Sequence, residues 1–287
     1  MRTTGIFTTH EFRYNTATEN KPFYILPVGD IHAGSPMHDR SRWESWLSWA
    51  ESKKDALFLG MGDYFDLASS SERKVLSSHS GLHESTTSTL DSLYMSNVLD
   101  MVKDLKFMKG RLIGLIEGNH YGLFQSGMTT TQKMCEMLGT KYLGVASFIR
   151  LLVATKGGRK SSLDIFAHHG KGFGRLVGSG LNNVQQMAEI AQADIYLMGD
   201  NHQKSLAYSD KMYLTHNSKS DLKVRNRKQL YARTGSFLTG YKDNMASYVT
   251  DKLLNPTNLG TIKIEITPKH YRENKQQNFY LDIHASL

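Results

Sequence analysis

The chain has 287 residues, enough for one large domain or two small ones, and 39% of them are hydrophobic, the ordinary share for a globular protein with a buried core. Lys and Arg (35) outnumber Asp and Glu (27), and the net charge of +8 favours polyanionic partners, nucleic acid first among them. A single cysteine excludes an internal disulfide, no run approaches the ~20 apolar residues of a membrane span, and the first residues lack the apolar stretch of a signal peptide, so a soluble, cytoplasmic protein without a membrane partner is expected.

In chain order, the apolar run Phe23–Val28 (FYILPV) reads as a buried strand ending in Gly29-Asp30. Residues 39–54 carry Trp43, Trp46, Leu47 and Ala50 at helical spacing, and the tryptophan set Trp43, Trp46 and Trp49 reads as core rather than as a base-stacking face. Residues 56–59 (ALFL) form a second buried strand. The Ser- and His-rich stretch 69–83 reads as a loop. A long amphipathic helix is expected over 86–109, with Leu90, Leu93, Tyr94, Val98, Met101, Val102 and Leu105 on one side. Residues 112–116 make a third strand, and 129–138 a helix stopped by Gly139. Cys135 lies among Met134, Met137 and Leu138, as a structural thiol does.

In the second half, 148–154 and 163–167 flank Lys156-Gly157-Gly158-Arg159, a hairpin signal. Residues 182–192 read as a helix and 194–198 (DIYLM) as a strand. The chain then turns strand- and loop-rich and basic over about 204–230, and Ile262, Ile264 and Ile266 alternate in a late strand. No repeat or linker interrupts this pattern, which reads as one domain over 1–287.

Five strands each end in a polar cluster: Asp30-Ile-His32, Gly62-Asp63-Tyr-Phe-Asp66, Gly118-Asn119-His120, His168-His169-Gly170 and Gly199-Asp200-Asn-His202. Ligands bind at the carboxyl ends of strands in open α/β sheets, so these clusters can share one crevice. Carboxylate, imidazole and amide oxygen form a mixed ligand set for divalent transition ions, and one aspartate can bridge a pair with its two oxygens.

In order and spacing this series resembles the calcineurin-like metallophosphoesterase superfamily, whose pattern runs Asp-x-His, Gly-Asp-x-x-Asp, Gly-Asn-His, His, Gly-His-x-His. The resemblance covers the chain from about residue 23 onward. It implies an α/β fold, a β-sandwich of two mixed sheets flanked by helices. It implies one metal on Asp30, His32, Asp63 and His202, and a second on Asp63, Asn119, Asp200 and a histidine of the 168–169 pair, His169 being preferred because it stands before glycine. His120 matches the catalytic acid and Asp66 the residue that orients it. Two departures stand out: Tyr121 follows His120 where an acid is usual, and Asp200 replaces histidine. An anionic, hard ligand there favours oxygen-loving ions, so the cofactors expected are two divalent metals, Mn²⁺ before Mg²⁺, Fe or Zn²⁺.

The implied activity is hydrolysis of a phosphate ester by a bridging hydroxide, with His120 protonating the leaving oxygen. The expected substrates are phosphodiesters in nucleic acid or nucleotides; phosphomonoesters of small molecules or proteins, and an inactive metal-binding nucleic-acid scaffold, are the alternatives. Basic residues Lys204, Lys211, Lys219, Lys223, Arg225, Arg227 and Lys228 follow His202 directly and make a candidate surface for a nucleic-acid backbone beside the metals. The glycines of 170–174, with Lys171 or Arg175, read equally as a phosphate cradle and as a plain flexible loop.

Overall fold

The computed structural model describes residues 7–78, 83–170, 176–216, 222–273 and 276–287. Two mixed sheets stack face to face between helices, the architecture implied by the sequence. The first sheet has seven strands: β1 (Thr9–Ala17), β5 (Ala146–Thr155), β6 (Lys160–His168), β7 (Ile195–Met198), β9 (Leu222–Ser236) and β10 (Gly260–Thr261) in spatial order, with β8 (Lys204–His216) paired to β9. The second has five, in the order β12 (Gln276–Ser286), β11 (Lys263–Glu273), β2 (Phe23–Val28), β3 (Ala56–Gly60) and β4 (Leu112–Leu115).

Strands β2, β3 and β4 run parallel, as do β6, β7 and β9, and this explains their unbroken apolar runs: both faces are covered. Between the sheets, Ile25, Leu57, Leu59 and Ile113 meet Ile149, Leu151, Ile165, Leu197 and Ala232, with Ile262, Ile264 and Ile266 at 0% exposure closing the layer. Outside the five-stranded sheet, Leu26, Val28 and Phe58 pack on α1 (Arg40–Ser52), α3 (Glu84–Leu105) and α4 (Thr130–Leu138). Outside the other, Phe166, Tyr196 and Tyr231 pack on Val184 and Met187 of α5 (Val177–Ile190). Gly139 ends α4 in the left-handed conformation, opposite a Thr129–Gln132 capping box at its start. A short α6 (Tyr248–Asp251) precedes β10. No helix among the described residues is long and apolar enough to cross a membrane.

Several elements differ from the sequence reading. The supposed loop 69–83 contains a helix, α2 (Ser70–Ser78). Its start is a capping box: the Ser69 amide donates to the Glu72 carboxylate (2.6 Å) and the Glu72 amide to the Ser69 hydroxyl (3.3 Å). Residues 79–82 lie outside the described residues, as do Lys171 to Arg175 of the glycine-rich segment and Lys219. The tryptophans divide: Trp43 and Trp46 are buried and stacked 5.3 Å apart, whereas Trp49 is 38% exposed. On α3 the buried stripe is Tyr94, Val98, Met101 and Leu105, and Leu93 falls off it, half exposed.

The basic run also sits elsewhere. In the parallel β7–β9 pair, Ile195 lies beside Leu230 and Met198 beside Arg233. Residues 222–229 therefore extend past the amino end of β7, away from the end that leads to Asp200. Lys211 pairs with Arg227, six residues before Arg233, or about 20 Å at ~3.3 Å per residue. Of the described residues of the run, only Lys204 stands at the candidate-ligand end, beside Thr234. Arg227 is neutralised by Asp194 (2.5 and 2.7 Å). The basic arm does not adjoin the cluster of candidate ligands.

Candidate metal centre

The loops after β2, β3, β4, β6 and β7 converge. Three clusters of acidic and histidine side chains have donor atoms all within 4.8 Å of one another: Asp30, His32 and His202; Asp30, Asp63 and His169; and His32, Asp66 and His120. All nine residues singled out in the sequence lie in this one cleft, since Asn119 and Asp200 join it through an amide-to-carboxylate bond of 3.2 Å. Asp30, His32, Asp63 and His169 form its floor at 4% exposure or less. Asn119, His120, Asp200 and His202 are half-buried and face its opening.

The backbone is bent to achieve this. Among the described residues, eight non-glycines have positive φ, and five of them are Asp30 (48°), His32 (50°), Asp63 (48°), Asp200 (68°) and His202 (59°). Such conformations store strain and gather at functional sites. Neighbouring glycines make room: a Cβ on Gly62 (φ 96°) would sit 2.5 Å from His169 Nδ1, and one on Gly118 would sit 2.1 Å from Asp63 Oδ1.

Asp63 is the centre of the arrangement. Its Oδ1 accepts the amides of Asn119 (2.7 Å) and His120 (3.0 Å), while Oδ2 alone faces His32 Nε2 (3.6 Å) and His169 Nε2 (3.3 Å). A bridge through both carboxylate oxygens is therefore not what the geometry offers; Oδ2 points to both positions, and Oδ1 holds the Asn119–His120 loop. Burial opposes ionisation of Asp63, but the facing His169 imidazole at 3.3 Å and the charge of His32 prevail and hold its carboxyl low. Asp30 is pushed the other way, by burial first and then by Asp63 and Asp200. Its carboxylate accepts the Asp200 amide at 3.1 Å.

Of the adjacent histidines, His169 faces the cluster. Its Nδ1 donates to the Met61 carbonyl (2.8 Å), which orients the ring and turns Nε2 into the cluster as the candidate ligand nitrogen. His168 Nδ1 instead accepts the Gly170 amide (2.8 Å). His32 Nε2 and His202 Nε2 lie 3.2 Å apart. Burial and the neighbouring His32 hold His202 neutral, as a ligand imidazole must be.

Whether these residues suit metal ions is answered by atoms without partners. His169 Nε2 and Asn119 Oδ1 are both buried and make no hydrogen bond among the described residues, His169 Nε2 only facing Asp63 Oδ2 at 3.3 Å. Buried polar groups are nearly always satisfied, and these two are ligand atoms of the same implied second position. With Asp63 Oδ2 and Asp200 Oδ1 they form an N/O set that fits a divalent ion of intermediate to hard character.

Beside the ligands, His120 Nδ1 bonds Asp66 Oδ1 at 3.1 Å, and His32 Nδ1 lies 3.6 Å from the same oxygen. Burial lowers the affinity of His120 for a proton, but Asp66 and Asp63 outweigh it and the imidazole titrates above its ordinary value. The bonds from His120 and His32 hold Asp66 far below the carboxylate range.

Arg73 of α2 was not legible as a site residue. Its Nη1 donates to the carbonyls of Asn119 (2.8 Å), Tyr121 (3.2 Å) and Ala68, and its guanidinium lies 3.8 Å from the Tyr121 ring centre. Tyr121, the departure noted after His120, is the surface on which this clamp stacks. The Ser69…Glu72 spacing was the one sequence signal for the helix that carries it.

No family model matches the chain, and no curated protein sequence matches it. Among solved structures, Vps29 of Chaetomium thermophilum is similar over 93% of this chain and 97% of that one, at 10% identity and a TM-score of 0.32, too distant to bear on fold or function.

Proposed function

We propose that the chain is a metal-dependent phosphoesterase. The observation that carries this reading is the pair of orphaned ligand atoms, His169 Nε2 and Asn119 Oδ1, facing Asp63 and Asp200 beside an intact His120–Asp66 pair. Asp30, His32, Asp63 and His202 would hold one ion, and Asp63, Asn119, His169 and Asp200 the other, with Mn²⁺ favoured by the oxygen content of the second set. The chemistry that divalent ions supply when bound there is Lewis acidity toward phosphate oxygens and a lowered pKa for water.

The chain's own residues do the rest. Asp63 Oδ1 fixes the amides of Asn119 and His120, so ligand and acid move as one unit. Asp66 orients the His120 ring through Nδ1 and favours its protonated form, whose Nε2–H would donate to a departing alkoxide. The half-exposed rim of Asn119, His120, Asp200 and His202 leaves the cleft open to a substrate.

Diesters in nucleotides or nucleic acid are the proposed substrates, supported by the net charge of +8. The basic arm, at the far end of the sheet, does not add to this. The test is parallel assay of Mn²⁺-loaded protein on bis-p-nitrophenyl phosphate, p-nitrophenyl phosphate and single- and double-stranded DNA. Diester cleavage is expected; cleavage of the monoester alone would replace the reading with a phosphomonoesterase, and metal binding without cleavage of any of them would replace it with a scaffold.

A further inference from the structure

Arg233 of β9 is at 0% exposure, and it is the one buried lysine or arginine among the described residues. A buried guanidinium is costly unless its charge is answered and its donors are used. Here Nη1 donates to the Gly199 carbonyl (2.6 Å) and Nε to the Gly180 carbonyl of α5 (3.1 Å), while Nη2 has no partner among the described residues. Gly199 immediately precedes Asp200. Burial opposes the Arg233 charge most, and the negative groups that favour it are Asp200 and Asp30, both candidate ligands. Its position follows from register: Arg233 stands beside Met198, the last residue of β7 before the ligand loop.

We propose that Arg233 is a positioning residue for the metal centre, a fixed positive charge that balances the carboxylates of Asp200 and Asp30 and an anchor that holds the Gly199–His202 loop in its left-handed turns. The three aspartates Asp30, Asp63 and Asp200 crowd one cleft, two of them almost wholly buried. Before cations arrive, Arg233 joins His169 in opposing their repulsion from the side of Gly199; once cations are bound, that task is theirs and only the anchoring remains. Arg233 would therefore matter more to the metal-free protein than to the loaded one. This inference rests on the phosphoesterase reading for the presence of cations, but not for its test.

The experiment compares thermal unfolding of the full chain after chelation and with saturating Mn²⁺, for wild type, Arg233→Met, Arg233→Lys and the double variant Asp200→Asn/Arg233→Met. The metal-free Tm of Arg233→Met is expected to fall by several degrees, with Arg233→Lys falling less, and the double variant to regain about half of the loss because one carboxylate no longer needs balancing. Saturating Mn²⁺ should shrink the Arg233→Met deficit by about half or more. Equal deficits with and without Mn²⁺, and no recovery in the double variant, would overturn the proposal in favour of a packing role. Should Arg233→Met fail to fold, folding of the double variant supports the charge role and failure of both overturns it. Absence of Mn²⁺ binding by wild type would sink the phosphoesterase reading instead, while the metal-free single-to-double comparison still decides Arg233.

Discussion

The His120–Asp66 pair supports the sharpest functional prediction. His120 Nδ1 and Asp66 Oδ1 are 3.1 Å apart, with about a third of each side chain exposed (28% and 32%). At an effective dielectric of ~20, unit charges at that distance attract by about 5 kcal/mol, an upper figure for groups this open to solvent; a charge-assisted hydrogen bond nets about 1.5–3 kcal/mol. At about 1.4 kcal/mol per pH unit, Asp66→Asn should lower the pKa of His120 by about 1–2 units. The acid form donates the proton, so turnover is present below the His120 pKa and lost as pH rises through it. Because the bond and charge of Asp66 raise that pKa against the burial that lowers it, Asp66→Asn should move the basic limb of the profile down. The assay is the pH dependence of kcat/KM on two diesters, one releasing an alkoxide and one p-nitrophenolate, at saturating Mn²⁺. His120→Asn should lose roughly 10²–10⁴-fold on the first and far less on the second, whose leaving group needs no proton. An unmoved basic limb in Asp66→Asn, or equal losses on both substrates in His120→Asn, would refute the assignment.

Other consequences can be checked separately. Arg73→Ala frees the Asn119 and Tyr121 carbonyls and should reduce kcat/KM about tenfold, equivalent to about 1.4 kcal/mol; since Lys cannot span two carbonyls from one planar fork, Arg73→Lys should not restore it, and full activity of either variant would contradict the clamp. In the metal-free protein, burial disfavours charge on His169 but Asp63 and Asp30 raise its pKa to about 10, so a proton occupies the ligand nitrogen at neutral pH. Metal uptake should release it, metal affinity should climb with pH up to that value, and calorimetry in buffers of different ionisation enthalpy should detect the release; heats independent of buffer would count against it. Trp43→Ala should destabilise by about 3–5 kcal/mol in urea unfolding, because the ring is 3% exposed, stacks on Trp46 and donates to Asp104 at 2.9 Å. Trp49→Ala should change stability by no more than about 0.5 kcal/mol; comparable losses for the two would refute the division of the tryptophans.

The five strand-end clusters were legible because buried parallel strands are short unbroken apolar runs, and the residue that follows each one is placed by the strand itself. Asp30, Asp63, Asn119, His169 and Asp200 all owe their position to this. What escaped depends on contacts between distant segments. Strand β1 alternates too weakly to announce itself, and it exists through pairing with β5, from Thr9 beside Phe148 onward. Helix α2 has little apolar surface, and its Arg73 reaches the Asn119 loop 46 residues away. The basic run was contiguous with His202 in sequence, but strand direction carries it to the opposite end of the sheet. Arg233 sits in a strand otherwise buried from Gln229 to Ser236, and nothing local marks its guanidinium as the neighbour of Gly199. Cys135, by contrast, was decided by its immediate neighbours: burial pushes its thiol up to about 12, as expected of a structural thiol.

The proposed function requires one cleft to hold two cations joined through Asp63. Equilibrium dialysis of the chelated chain against Mn²⁺ tests it most directly, with wild type and Asp63→Asn side by side. Two ions per wild-type chain are expected, with loss of both tight sites in the variant, because Oδ2 of Asp63 faces His32 and His169 alike. A wild-type chain that binds no Mn²⁺, or an Asp63→Asn chain that still binds two, would contradict it.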